Sequence, residues 1–213
     1  MSIRDAKKEY VVEMAAKAFL ESSVEAVTIR DIAQKAEVGE ATVYRYFSGK
    51  KELLLATANY LQNVVYDRYF KMDHFTGYER IRSFFRVYLH IFEVEPSYYR
   101  FIHSFDMYGD LESRAGMTVF SDGLDRFYHK FREAYDEGVR SGTVSPVDDP
   151  ELFYYASTHA VLELCKKLAA GKPIVRQDHE RNPVREVETL VNLILDRLKG
   201  PAYREKEKSK GPF

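Results

Sequence analysis

Apolar residues recur at three- and four-residue intervals along almost the entire chain, and no stretch alternates apolar with polar residues as a half-buried strand does. The pattern predicts an all-α protein, cut into segments by Gly, Pro and short polar residues. A first helix is expected from Ile3 to Ser22, with Val11, Met14, Ala15, Ala18 and Phe19 on one face. Thr28, with Asp31 three residues later, has the form of a capping box. It opens a second helix that buries Ile29, Ile32, Ala33 and Ala36. Glu37-Val38-Gly39 forms a tight turn before a short helix from Glu40 to Phe47, which buries Val43 and Phe47. Ser48-Gly49 ends that helix, Glu52 caps back, and a long helix runs from Lys50 to about Met72.

The same start and stop signals continue. Thr76 with Glu79 predicts a capping box for a helix reaching Val94, and Pro96 opens another that ends near Gly109. A long helix is expected from Glu112 to Ser141, stopped by Gly142. Asp149-Pro150 opens the next, which ends at Gly171 and Pro173, and Asn182-Pro183 opens a last one ending at Gly200-Pro201. The segment from Arg204 to Phe213 alternates Lys and Glu without an apolar stripe, and the expectation for it is disorder.

Composition narrows the function classes. A net charge of −1 argues against a protein that coats nucleic acid non-specifically, yet leaves room for a small basic patch. The first sixty residues are themselves charge-balanced, so any nucleic-acid reading rests on local pattern. The single cysteine, Cys165, rules out an internal disulfide framework and fits a reducing cytoplasm. The charged start Met1-Ser2-Ile3-Arg4-Asp5 has no apolar h-region, so no signal peptide is expected. No window is long and apolar enough to span a membrane. Gly-rich phosphate loops, nucleophile elbows and zinc-ligand spacings are absent, which argues against an enzyme and predicts no cofactor. His159 and Glu163, four apart, offer only two metal ligands; a packed histidine is the simpler reading, and Cys165 reads as packing too.

The informative stretch runs from Thr28 to Leu55, TIRDIAQKAEVGEATVYRYFSGKKELLL. Two short helices separated by a three-residue turn have the spacing of a helix-turn-helix, whose second helix enters the DNA major groove. Opposite Val43 and Phe47, the second helix carries Glu40, Ala41, Thr42, Tyr44, Arg45 and Tyr46, a face suited to a groove and its phosphates. Arg30 can reach a guanine edge and Glu40 a cytosine amino group. Lys50, at the start of the following helix, favours an anion.

This segment resembles the DNA-binding domain of the tetracycline-repressor (TetR) family. The resemblance lies in Thr28, Ile32-Ala33, Glu37-Val38-Gly39, Thr42-Val43-Tyr44-Arg45-Tyr46-Phe47 and Lys50 to Leu53, and covers about a quarter of the chain. It implies phosphate contacts at Thr42, Tyr44, Tyr46 and Lys50, and base or groove-edge contacts at Arg30, Glu40, Ala41 and Arg45. With Thr28, these nine residues form the expected DNA-binding set. Two positions depart from the family pattern. Glu37 stands where a turn glycine is usual, at a cost of about 1 kcal/mol if the backbone there is left-handed. Gly39 replaces the usual serine cap, a loss of a few tenths of a kcal/mol at most.

The expected organisation is a helix-turn-helix domain over 1–48, a connecting helix over 49–72, a helical ligand-binding and dimerisation domain over 73–200, and a disordered tail over 201–213. One helix-turn-helix makes few contacts, so a homodimer presenting two is expected. The apolar stripes of the last two helices are the candidate interface: Leu152, Tyr155, Ala156 and Ala160 on one, Val184, Val187, Val191, Ile194 and Leu198 on the other. The same stripes also suit packing within one chain. The middle helices are aromatic, and Phe84, Tyr88, Phe92, Phe101, Phe105, Tyr128 and Phe131 are the candidate lining of a pocket for a small apolar or aromatic effector. The resemblance implies such a pocket, although a solid aromatic core is the competing interpretation. The function expected from all this is a DNA-binding transcriptional repressor, released from its operator by an effector. The alternative is an effector-independent architectural or protein-recruiting factor on DNA.

Overall fold

The computed structural model describes residues 2–71, 74–107, 114–171 and 182–209, with residues 114–121 described as backbone only. Among the described residues it forms ten helices and no strand. They are α1 (Ile3–Glu21), α2 (Ile29–Lys35), α3 (Glu40–Tyr46), α4 (Lys50–Tyr69), α5 (Gly77–Val94), α6 (Pro96–Met107), α7 (Arg114–Arg140), α8 (Pro150–Ala169), α9 (Pro183–Leu198) and α10 (Pro201–Ser209). The chain divides into two compact units. One comprises Met1–Arg68 and Ser97–Asp125, the other Tyr69–Pro96 and Arg126–Phe213. The sequence-expected boundaries at Gly109, Glu112 and Pro173 lie outside the described residues.

The first unit is built around α1. A reciprocal capping box starts this helix: Ser2 N–H donates to Asp5 Oδ2 at 3.1 Å and Asp5 N–H to Ser2 Oγ at 3.1 Å. The expected face, Val11, Met14, Ala15, Ala18 and Phe19, is buried. It belongs to one apolar cluster with Ile29, Ile32, Ala33, Val43, Phe47, Leu53, Leu54 and Leu61. Phe101 and Phe105 of α6 complete that cluster, with the Phe101 ring 6.1 Å from Phe19.

In the second unit α5, α8 and α9 pack on one another. The caps of α8 and α9 follow the sequence expectation. Leu152 N–H donates to Asp149 Oδ1 at 2.9 Å, and Val184 N–H to Asn182 Oδ1 at 3.0 Å. The start of α5 does not. Thr76 occupies the cap position without a side-chain hydrogen bond, and Gly77 has φ 51°. Glu79, expected to bond back to Thr76, instead accepts from the Tyr203 hydroxyl at 2.8 Å and from Arg82 at 3.1 Å. The cap fails because a partner from a distant part of the chain takes the carboxylate.

That partner corrects a second expectation. Residues 201–209 are helical rather than disordered, and Tyr203 is buried. Its ring lies 4.2 Å from that of Tyr78, whose hydroxyl donates to Leu195 O at 3.1 Å. Burial, then the bond to Glu79, pushes the Tyr203 hydroxyl up to about 12. One buried aromatic residue anchors an otherwise charged tail, a signal that the Lys/Glu alternation masks. Just before it, the chain threads a narrow gap. Gly200 N–H donates to Thr143 O at 2.9 Å and Ala202 N–H to Gly142 O at 3.1 Å.

Candidate nucleic-acid interface

The segment from Thr28 to Lys50 folds within the first unit as two short helices and a turn. Thr28 and Asp31 form the expected reciprocal box. Thr28 N–H donates to Asp31 Oδ2 at 2.8 Å, and Asp31 N–H to Thr28 Oγ1 at 3.2 Å. The Thr28 hydroxyl also donates to that carboxylate at 2.7 Å, and these bonds hold the Asp31 carboxyl below its ordinary range. Thr28 is thus committed to starting α2, which sets the direction of Arg30, exposed two residues on.

The turn between α2 and α3 closes through Val38 N–H to Ala33 O at 3.0 Å. Glu37 adopts φ 53°, the left-handed region where a side chain is strained. Glu37→Gly is expected to raise stability by about 1 kcal/mol, because a turn glycine pays no Cβ penalty there. A urea melt of the variant checks this, and a lower midpoint would refute the strain. Gly39 caps α3 without a side-chain bond, so Thr42 N–H donates to the Gly39 carbonyl alone, at 2.8 Å.

Seven residues make up α3, and packing divides them sharply. Val43 and Tyr46 are buried, as is Phe47 at the C-cap. Glu40, Ala41, Tyr44 and Arg45 are exposed, and Thr42 is half-buried. Tyr44 keeps 53% of its surface exposed. Tyr46 departs from expectation: the sequence places it on the polar face, and it lies in the interior. Its spacing from Val43 is i, i+3, which places it on the helix side that Phe47 also occupies. The Tyr46 ring backs Arg45, whose guanidinium lies 5.2 Å from the ring centroid and donates to the Tyr46 hydroxyl at 3.4 Å. Arg45 is thereby held on the outer side of α3.

Ser48-Gly49 separates α3 from α4. Ser48 N–H donates to Glu52 Oε2 at 2.7 Å, as expected, and this bond lowers the Glu52 carboxyl below its usual range. Lys50 is half-buried, and its ammonium donates to Glu25 O at 3.4 Å. Burial pulls its pKa down from the ordinary lysine value, while Glu25 and Asp31 oppose the shift. Arg30, Glu40, Tyr44 and Arg45 therefore offer charged and hydrogen-bonding groups to solvent, with the Ala41 methyl exposed among them, from a helix pair whose inner sides are locked in a core.

Against this geometry, residues 11–57 match the model of the tetR family of bacterial regulatory proteins. That match covers the segment holding α2 and α3. Proteins of the tetR family are bacterial regulatory proteins, and the matched residues also take in most of α1 and the start of α4. Solved structures resemble the chain over nearly its whole length. The ketosteroid transcriptional regulator KstR2 of Mycobacterium tuberculosis has a TM-score of 0.62 at 19% identity, covering 90% of this chain and 94% of that one. The fatty acid degradation regulator FadR of Bacillus halodurans has a TM-score of 0.64 at 17% identity, covering 89% and 94%. FadR of Bacillus subtilis, in complex with stearoyl-CoA, has a TM-score of 0.61 at 15% identity, covering 89% and 98%. At these identities the likeness shows a common fold. No curated protein matches the sequence significantly.

The expected effector residues fall into two groups. Phe84, Phe92 and Phe131 are buried in the second unit, with Tyr88 and Tyr128 half-buried. Phe84 lies 5.9 Å from Phe131 and 6.0 Å from Tyr88. Phe101 and Phe105 belong instead to the apolar cluster of the first unit. The second-unit aromatics have two further members that the helical stripes did not single out as lining. Tyr154 of α8 is 5.2 Å from Phe131 and from Tyr128. Phe70, just past α4, is 5.2 Å from Phe84 and 4.8 Å from Phe127.

The expected dimer residues divide likewise. Leu152, Tyr155, Ala156 and Ala160 are exposed on α8, with Leu152 at 64%. On α9, Val187, Val191 and Leu198 are buried within their own unit, while Val184 and Ile194 are half-buried. The strongest stripe of α9 serves the chain's own core against α5 and α8. Its outward apolar residue is Leu193, also 64% exposed.

Proposed function

We propose that the protein is a homodimeric transcriptional repressor that places α3 of each subunit in the major groove of a near-palindromic operator. The proposal rests above all on α3 itself. Its inner residues are locked into the core, while Glu40, Ala41, Tyr44 and Arg45 stand free of that core on the outside. Tyr44, Thr42 and Lys50 contact phosphates, Thr28 and Tyr46 support the contact residues, and Arg30, Glu40, Ala41 and Arg45 face bases or the groove edge.

The dimer forms through the exposed apolar face of α8, joined by the outward residues of α9. Leu152, Tyr155, Ala156, Ala160 and Leu193 would otherwise stand in water. The effector is a small apolar molecule taken up among the aromatics of the helical domain. Phe84, Tyr88, Phe92, Tyr128 and Phe131 remain the proposed contacts, whereas Phe101 and Phe105 are taken up by the first unit's own cluster. The names of the similar regulators, which refer to a ketosteroid, to fatty acid degradation and to stearoyl-CoA, support an apolar ligand. Such a ligand must bind the DNA-released conformation more tightly than the DNA-bound one. The protein works in the cytoplasm; no described helix is long and apolar enough to cross a membrane.

The test is selection of bound duplexes from a random pool by the purified full chain, with sedimentation to count subunits. The expected result is a near-palindromic consensus with half-sites set by helical turns, bound by an even number of subunits. A thermal-shift screen of acyl and steroid compounds should then find one that raises the melting temperature with concentration and frees the duplex. A pool without enrichment would refute the DNA reading. A consensus bound equally with every stabilising compound would instead favour an effector-independent factor.

A further inference from the structure

Lys8 belongs to no motif, yet the fold holds it at the junction of α3 and α4. Its ammonium nitrogen lies 5.1 Å from the centroid of the Phe47 ring. Phe47 is the C-cap of α3, and Ser48 and Gly49 follow it directly into α4. The lysine itself is exposed. Glu52, in the first turn of α4, is near enough for the Lys8 charge to contribute to lowering its carboxyl, although the bond from Ser48 is the larger cause. Among the described residues Lys8 has no ion-pair partner. An aromatic face orients an ammonium without neutralising it, as a carboxylate would. The side chain is therefore directed toward the start of α4 with its charge still available to an anion.

We propose that Lys8 is a further phosphate-contact residue of the DNA-binding face, reaching the backbone from α1 beside the start of α4. The inference rests on the proposed docking of α3 and adds a contact from outside the helix-turn-helix. Lys50 is half-buried on the same junction, so Lys8 supplies the more exposed of the two cations. Holding the ammonium over Phe47 also removes part of the side-chain freedom that a free surface lysine loses on binding.

The experiment measures binding of the full chain to its selected duplex by fluorescence anisotropy between roughly 50 and 300 mM salt. Lys8→Ala, Lys8→Gln, Lys8→Arg and Lys50→Ala are compared with the parent protein. Lys8→Ala and Lys8→Gln are expected to lower the slope of log affinity against log salt by about 0.9 per subunit, with Lys8→Arg keeping it. The preferred sequence should not change, because phosphate contacts carry no base information. A parental slope in Lys8→Ala overturns the inference, whether or not affinity falls, since a merely structural role weakens binding without releasing fewer ions. Where Lys50→Ala lowers the slope and Lys8→Ala does not, Lys8 is excluded and the docking stands. Where the parent protein itself binds duplex without salt dependence, the docking fails and the inference with it.

Discussion

Replacing Tyr44 by Phe and Lys50 by Ala together is expected to weaken operator binding about a hundredfold per half-site. Tyr44, exposed on α3, keeps its ring in the variant and loses only the hydroxyl, which the proposed docking brings to a phosphate. Lys50 loses an ammonium held at the start of α4 by the Glu25 carbonyl. A hydrogen bond to a charged group contributes roughly 1.5 kcal/mol at the low end, so two lost contacts cost about 3 kcal/mol, or two decades in affinity. The charge difference is visible separately, because the lost lysine lowers the salt slope by about one per subunit and the lost hydroxyl does not. Anisotropy titrations of both single variants and the double variant separate these contributions. Unchanged affinity and slope in the double variant would remove both residues from the interface.

Gly200→Ala is expected to be the most damaging single change to the fold. A Cβ at Gly200 would lie 2.3 Å from Gly142 O, 2.5 Å from Thr143 C and 2.6 Å from Val144 N. All three are backbone atoms, so no side chain can rotate out of the way. The strands of chain that meet there are also bonded to each other, through Gly200 N–H to Thr143 O and Ser145 N–H to Leu198 O. Separating them breaks those bonds and shifts α10 from its seat. Overpacking of this kind costs about 3 kcal/mol or more, which in a domain of this size lowers the melting temperature by roughly 6–12 °C. Gly39→Ser is the control. Nothing lies within 4 Å of a Cβ there, and the change should move stability by only a few tenths of a kcal/mol. Equal melting temperatures for Gly200→Ala and the parent would contradict the packing described here.

Local signals carried the helix-turn-helix. Thr28 with Asp31, the Glu37–Gly39 turn and the spacing of Val43 and Phe47 depend on neighbours within a few residues, and the structure repeats them nearly position by position. Signals that depend on distant partners were not legible. Glu79 reads as a cap for Thr76 until Tyr203, more than a hundred residues on, takes its carboxylate. The tail reads as a solvated charge run because a single tyrosine has no period. Tyr46 carries two opposing signals. Its i, i+3 relation to Val43 marks the inner side of α3, but a tyrosine beside an arginine also suits a wet face. The apolar stripe of α9 was correct as a stripe; periodicity says that a face is buried, and not whether the same chain or a second copy covers it.

The division of α3 bears on how a protein docking through this helix would change its target. Glu40, Ala41, Tyr44 and Arg45 are the exposed positions of this seven-residue helix. A mutation at Val43 or Tyr46 disturbs the scaffold before it alters any preference among bases. The vocabulary open to evolutionary drift in this helix is therefore four letters long. Further discrimination has to be recruited from neighbouring segments such as the start of α2, where Arg30 stands.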